Sequence, residues 1–273
     1  MVEALSSGGA MDSRDRVVIC RRCQGSGWAP PSACAADRPC AACHGTGSHA
    51  WTVVFIQARI GSRRFPGKVL VPIGGIPMLQ RVYDRACQIQ GVDQVIVIAP
   101  HGEVFPGFTG PVWSWPDCDE HDVLDRYARA AEQAQADLIV RVTADCPFLD
   151  TELASQLVQM IQTRPHMDYL GVFGDPDGRG CEAFTAPALA QAASTATDPY
   201  DREHVTPWIR RGSRTGFVRA PVWTGPTKMS VDTPEDWQSL EAWMRAHHHP
   251  GPATPRPPSA AGADARIDAA VPQ

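Results

Sequence analysis

The sequence predicts an α/β fold with a mostly parallel sheet, on three observations. Val53-Val54-Phe55-Ile56 is a short β-branched run that breaks into a loop holding Gly61, Gly67, Pro66, three arginines and Lys68, the pattern of a buried strand feeding an anion-binding turn. Met78 to Cys87 carries apolar residues at helical spacing and leads into a second apolar run, Gln94 to Ala99, which completes a βαβ unit with a right-handed crossover. Leu138 to Thr143 is a third buried run, and its carboxyl end delivers Asp145. In a parallel sheet of this kind the ligand lies beyond the carboxyl ends of the strands, where the loop already sits.

The loop defines the expected ligand. Gly61 and Gly67 let the backbone approach a phosphate closely, while Arg59, Arg63, Arg64 and Lys68 supply fixed cations and donors. A polyanion is expected there, and a nucleoside triphosphate before others. The P-loop of NTPases is excluded, because four residues intervene between its glycines and Ser or Thr follows its lysine; here five residues intervene and Val69 follows Lys68. The plain alternative is a solvated basic loop beside a strand.

The other elements follow in order. Pro72 to Pro77, with Gly74 and Gly75, separates the loop from the first helix, and Pro100 to Pro116 reads as an irregular connection with a short strand at most. Asp117-Cys118-Asp119 imitates the D-x-D metal motif of sugar-nucleotide glycosyltransferases, a match that any tripeptide with two acids makes. His121 to Gln135 reads as a helix with Val123, Leu124 and Tyr127 on one face and Asp119 or Asp122 as its cap. Asp145, beside a cationic loop, makes sense as a ligand for the magnesium that accompanies triphosphates; capping the next helix is a task Asp150 or Thr151 performs as well. That helix, Asp150 to Thr163, carries the apolar stripe Leu153, Leu157, Val158 and Ile161.

Tyr169 to Phe184, with four glycines and Asp175, Asp177 and Glu182, reads as a lid or acceptor loop after a strand. Asp201-Arg202-Glu203-His204 gathers acid, base and imidazole at a helix start, either as a surface ion cluster or, through Arg202 and His204, as a contact to substrate phosphate or sugar. Lys228 to Asp232 reads as a last strand, after which Thr233 caps a helix begun by Pro234. Asp232 and Asp145 then end strands at one edge of the sheet, and sharing one magnesium ion requires their carboxylates to approach within about 6 Å.

The run Gln57-Ala58-Arg59-x-Gly61-Ser62-x-Arg64-x-Pro66-Gly67-Lys68 resembles the signature loop of the cytidylyltransferases that activate sugars, specifically the spore-coat polysaccharide biosynthesis F-type branch, a relative of the acylneuraminate and 3-deoxy-manno-octulosonate cytidylyltransferases. Asp122-Val123-Leu124-Asp125-Arg126-Tyr127, Arg141 to Pro147, Asp201 to Pro207 and Val231 to Asp236 recur in the order of that family, from about Trp51 to about Trp243. The resemblance implies a three-layer αβα Rossmann-like nucleotide-diphospho-sugar transferase fold. It also implies CTP as donor and a sugar or sugar-like acid as acceptor, with pyrophosphate released. Arg59, Gly61, Ser62, Arg64, Gly67 and Lys68 would hold the triphosphate, Asp145 with Asp232 the magnesium, and the stretch around Glu182 would face the sugar. Two rivals remain: a glycosyltransferase of similar build that consumes a nucleotide sugar, and a zinc-bearing binding module whose transferase half only scaffolds a partner.

Before this domain, residues 1–15 read as a disordered leader, and two copies of C-x-x-C-x-G-x-G follow within residues 16–50. The spacing of Cys20, Cys23, Cys40 and Cys43 falls inside that of a four-thiolate structural zinc site. The unit resembles the zinc-binding region of DnaJ-type chaperones, which normally has four copies, so one zinc is implied and chaperone activity is not. The transferase domain is expected over residues 51–246 and a disordered Pro- and Ala-rich tail over 247–273. With 273 residues and 43% hydrophobic content the chain can bury a sizeable core, and its net charge of −5 argues against wholesale nucleic-acid coating. No run reaches membrane-spanning length, and the first residues lack a secretory pattern, so a reducing cytoplasm is the expected setting. A homodimer and a protein partner for the knuckles stay open.

Overall fold

The computed structural model describes residues 49–247. The leader, Cys20, Cys23, Cys40, Cys43 and the tail beyond His247 lie outside the described residues, and so do the domain limits drawn there. The main sheet has seven strands: β1 (Thr52–Gln57), β4 (Gln94–Ile98), β5 (Val112–Trp113), β6 (Leu138–Thr143), β7 (Tyr169–Phe173), β8 (Glu182–Thr185) and β9 (Thr215–Arg219). A separate hairpin pairs β2 (Pro72–Ile73) with β3 (Ile76–Pro77). The helices are α1 (Met78–Ala86), α2 (Val123–Ala134), α3 (Thr151–Gln162), α4 (Ala186–Thr195), α5 (Pro199–His204), α6 (Pro207–Arg210) and α7 (Pro234–His247).

The strand order is β5-β4-β1-β6-β8-β7-β9. β1 lies parallel to β4 on one side and to β6 on the other, so the chain reverses its direction of sheet growth around β1. That reversal opens a crevice at the carboxyl ends of β1 and β6. β8 is the exception to the parallel pattern: it runs antiparallel to both β6 and β7, while β7 and β9 are parallel.

Both faces of the sheet are covered. Val53, Phe55, Ile96, Ile98 and Ile139 pack with Leu124, Tyr127 and Ala130 of α2 and with Leu189 and Ala192 of α4. The alternate residues Val54, Ile56, Val97 and Val140 are equally sealed, as strands between two helical layers must be. On α2 the cap is Asp122, whose side chain accepts from the Asp125 N–H, so the helix begins two residues later than His121. Asp150 caps α3 in the same way through the Leu153 N–H, which leaves Asp145 free of any capping duty.

Three expected elements differ. Tyr169 to Phe184 is not a loop throughout: it holds β7 and the start of β8, and only residues 174–181 connect them. Lys228 to Asp232 is not a strand: it makes one parallel bridge, Lys228 with Asp177, and is otherwise held by single bonds from Met229 N–H to Asp177 O and from Val231 N–H to Asp145 O. The backbone of Gly178, at φ +92°, lies so close to Met229 and Ser230 that a Cβ there would sit 2.3 Å from the Ser230 nitrogen, and this crossing replaces a ladder. Asp201 to His204 ends α5 rather than starting a helix, because Asp198 caps it and Pro199 takes its first position. Among the described residues no helix is long and apolar enough to cross a membrane.

Leu157 of α3 is fully buried. Leu157→Ala is expected to cost about 2–5 kcal/mol. In urea unfolding the midpoint should fall with the slope unchanged, since the loss is one of packing and not of compactness.

Candidate active site

The loop after β1 is built from its own backbone. Ser62 N–H and Gly67 N–H both donate to Ile60 O, at 2.8 and 2.9 Å, and Gly67 takes the left-handed φ of 73° that turns the chain into a single 3-10 turn at Lys68–Leu70. Glu103 clamps the loop from outside by accepting the Ile60 N–H with both oxygens at 3.0 Å. Gly61 needs no special backbone angle; a Cβ there would meet the Glu120 carboxylate at 3.4 Å.

This fold of the loop drives Lys68 inward, where it is 9% exposed. Its ammonium donates to Asp145 Oδ2 at 2.6 Å, to Asp232 Oδ1 at 3.2 Å and to the Val231 carbonyl at 2.9 Å, using all three of its protons. Asp145 and Asp232, far apart in sequence, therefore meet across one nitrogen, with those oxygens less than about 6 Å apart by the two distances. Asp232 collects further cations: Arg64 Nη2 lies 2.9 Å from Oδ1 and Lys228 Nζ 3.1 Å from Oδ2. Burial pushes the Asp232 carboxyl up, but the Lys228 hydrogen bond and the Lys68 charge outweigh it and hold the group below its ordinary range. Lys228 also binds Asp236 at 2.6 Å, and Asp236 accepts the N–H groups of Asp232 and Thr233 at the start of α7.

Around this point opens a cleft of about 470 Å³, lined by Arg59, Ser62, Arg64, Lys68, Asp145, His204 and Asp232 among others. Arg59 sits 4.0 Å from Glu203, and Arg63 also faces the cleft. His204 and Glu203 reach it because Val205 turns sharply at φ 70°, ψ −56°, with Thr206 N–H bonded to His204 O at 2.8 Å. This is the rare, strained kind of γ-turn, held by a fully buried β-branched residue.

Arg202 does not join them. Its guanidinium is consumed by Asp122 Oδ2 at 2.7 Å and by the carbonyls of Ala193 and Ala196, so it ties α5 to the cap of α2 and to the end of α4. Glu182 also stands outside the first cleft. It lines a second one of about 260 Å³, which shares Thr143 with the first, and both of its oxygens are engaged, by Arg141 at 2.6 Å and by Tyr169 and Thr206 at 2.6 and 2.8 Å. Asp117 pairs with Arg129 and Asp119 accepts the His121 N–H; neither acid of the D-x-D tripeptide lines a cleft.

Sequence reasoning missed several lining residues. Four buried side-chain polar atoms have no hydrogen-bond partner among the described residues, and all four belong to the clefts: Gln57 Oε1 and Arg126 Nε in the first, Arg141 Nε and Asp175 Oδ2 in the second. Arg126 is 3% exposed, forms no ion pair among the described residues, and donates to the carbonyls of Asp119 and Glu120. Unmet polar atoms of this kind normally number a few per domain, and their concentration at two openings marks where ligand atoms belong. Among the described residues no group of three or more His, Cys, Asp or Glu side chains encloses a metal site.

The family model for cytidylyltransferases matches residues 53–218. The chain belongs to the cytidylyltransferase family. As a member it is 30% identical over 218 residues to the spore coat polysaccharide biosynthesis protein SpsF of Bacillus subtilis, an alignment covering 71% of this chain and 87% of that one. It is 33% identical over 118 residues to an 8-amino-3,8-dideoxy-manno-octulosonate cytidylyltransferase from a Shewanella species, there spanning 41% of this chain and about half (48%) of that enzyme. A cytidylyltransferase structure from Leptospira borgpetersenii superposes with a TM-score of 0.65 at 25% identity, covering 72% of this chain and 88% of the other. The matched segment of the family model contains the cation loop and Asp145 and stops short of Asp232.

The ion pairs around Lys228 give a pH signature. Asp232 and Asp236 are both held below their ordinary value of 3.8, so their contribution is complete above that pH and is lost as pH falls through the lowered values. Burial lowers Lys228, but the two carboxylates more than compensate and raise it, so its share persists until pH climbs past the ordinary 10.5. Lys228→Met should therefore lower the melting temperature at pH 7 by roughly 1–4 °C, the size expected of a half-exposed pair in a chain this long. The difference between variant and parent should shrink as the pH is taken down through and below 3.8.

Proposed function

We propose that this chain joins CTP to a sugar acid, releasing pyrophosphate and leaving a cytidine-monophosphate-activated sugar. The observation that carries the reading is the meeting of Lys68, Asp145 and Asp232 at the foot of a cleft whose rim is the Arg59–Lys68 loop. Membership of the family supports CTP as the donor, and the named substrate of the Shewanella relative supports an acidic sugar as the acceptor.

In this reading the side chains of Arg59, Arg64 and Lys68 hold the triphosphate, on a loop whose shape is set by the Ser62 and Gly67 N–H bonds to Ile60 O. An acceptor hydroxyl oxygen attacks the α-phosphorus, the bond to the pyrophosphate oxygen breaks, and the hydroxyl proton leaves to solvent. Lys68 and Arg64 are already oriented by Asp145 and Asp232, so little reorganisation is required when charge shifts to the departing pyrophosphate. The donor set fits magnesium: two hard carboxylates converge from Asp145 and Asp232, and magnesium is commonly held by one or two carboxylates with substrate phosphates and water completing the shell. When bound, that ion neutralises phosphate charge and helps fix the in-line geometry. The acceptor is assigned to the second cleft, where Glu182 braces the wall through Arg141, Tyr169 and Thr206, while His204 lines the first. The glycosyltransferase alternative is not favoured, since neither Asp117 nor Asp119 lines either cleft.

Asp145→Asn and Lys68→Met should each lower the rate of pyrophosphate release from CTP by about 10²–10³-fold, the usual cost of one group that compensates transition-state charge. Asp145→Asn should in addition raise the magnesium concentration giving half the maximal rate, while its amide oxygen can still accept from Lys68 and so preserves part of that buried link. Turnover of Asp145→Asn at the parental rate would overturn the assignment. For the residues outside the described region, the reading rests on cysteine spacing alone. Metal analysis of the full chain should find one zinc ion per molecule, lost in Cys23→Ser, and a disulfide between the two knuckles would refute the thiolate site.

A further inference from the structure

Asp232 reaches Lys68 on a segment that no ladder supports. Three bonds donated by that segment hold it: Met229 N–H to Asp177 O at 2.6 Å, the Ser230 hydroxyl to Asp177 Oδ2 at 2.5 Å, and Val231 N–H to Asp145 O at 2.9 Å. Two of the three run to Asp177, which lines the second cleft, whereas Asp232 lines the first. Met229 and Val231 are fully buried with Ile73, Met78 and Phe148, which fixes the depth of the segment. Apolar packing has no direction of its own, so the orientation of the chain is left to the hydrogen bonds.

Asp177 stands on a firm base from which to impose that orientation. It belongs to a turn closed by Arg179 N–H to Pro176 O, in which Gly178 takes φ +92° at the third position. Arg179 bolts the turn down: its guanidinium pairs with Asp150, the cap of α3, bonds Asp175 at 2.9 Å and lies 3.8 Å from the centre of the Trp223 ring. Asp150 N–H returns a bond to Arg179 O at 2.8 Å. Asp177 itself forms no ion pair among the described residues, and its carboxylate takes the hydroxyl of Ser230, a residue 5% exposed, in a charge-assisted bond. Removing the Asp177 carboxylate therefore strands no cation and acts on Ser230.

Resting on the reading of the first cleft as the metal and triphosphate site, we propose that Asp177 is a positioning residue for Asp232. Its bond to Ser230, two residues before Asp232, sets where that carboxylate stands, so the metal affinity of the nucleotide cleft is set from the wall of the other cleft. Asp145 is delivered by β6 and does not depend on this bond, so the metal site is weakened by its loss and not abolished.

The test uses full-length protein and calorimetric binding of CTP, which needs no acceptor, in a magnesium series and in EDTA. A displacement of about 1 Å in a positioned group costs up to about 10²-fold, so Asp177→Ala and Ser230→Ala should each raise the magnesium concentration for half-maximal CTP binding about tenfold, with CTP affinity in EDTA changed less than about twofold. Asp177→Asn, whose amide oxygen accepts the same hydroxyl, should stay within about threefold of the parent. The double variant Asp177→Ala with Ser230→Ala should be no weaker than either single one, since one bond is lost only once. These midpoints belong to the molecules that bind, so a fraction of unfolded protein does not move them. An unchanged midpoint in both alanine variants would overturn the proposal. Equal losses in Asp177→Ala and Asp177→Asn would overturn it too, by showing that Asp177 acts through its charge. A parent that fails to bind CTP, or binds it without regard to magnesium, would sink the reading of the first cleft and this inference together.

Discussion

The ammonium of Lys68 is the joint on which the rest of the structure closes. It is almost buried, and a buried cation survives only when its protons are answered. The answers come from three directions: Asp145 just beyond β6, Asp232 ahead of α7, and the Val231 carbonyl beside it. Three segments remote in sequence are thereby fixed at one point, and the carboxyl edge of the sheet acquires a floor. The Val231 N–H bond to the Asp145 carbonyl doubles this link in the backbone, so the spacing of the two acids does not depend on side chains alone.

Around that joint, charge is arranged in layers of decreasing burial. Lys68 lies innermost, Asp145 and Asp232 are partly exposed, and Arg64, with two thirds of its side chain in solvent, forms the outer ring. Acids thus hold the basic side chains in place, and in the proposed reading this removes part of the ordering cost of binding a phosphate. Lys228 and Asp236 extend the network to the first turn of α7, where the carboxylate also serves two backbone N–H groups.

Much of this was legible in the sequence, where local rules apply. The β-branched run of β1, the cap Asp122, the cap Asp150 and the apolar stripe of α3 each obey short-range chemistry, and each stands within a residue or two of its expected place. What escaped was non-local. Nothing within Glu182 to Thr185 announces an antiparallel strand wedged between β6 and β7, because its register is set by partners about forty residues before it and about fifteen before it. Arg202 looked like a ligand contact and is a brace, since the carboxylate that takes it, Asp122, lies 80 residues away. Arg126 looked like one more helix residue, and only its burial without an ion pair among the described residues distinguishes it. Lys228 to Asp232 had the composition of a strand, but Gly178 crosses too closely for a ladder to form.

The reversed strand β8 separates two kinds of variation. Because β7 ends and β8 begins at the carboxyl edge, the segment between them hangs over the second cleft, while the loop of β1 borders the first. Insertions or deletions in that hairpin leave the parallel strands β1, β4 and β6 and their register untouched. A lineage with this architecture can rework one chamber by changing hairpin length and composition without moving the strands of the other, provided Asp177 and Gly178, which carry the segment that delivers Asp232, are kept.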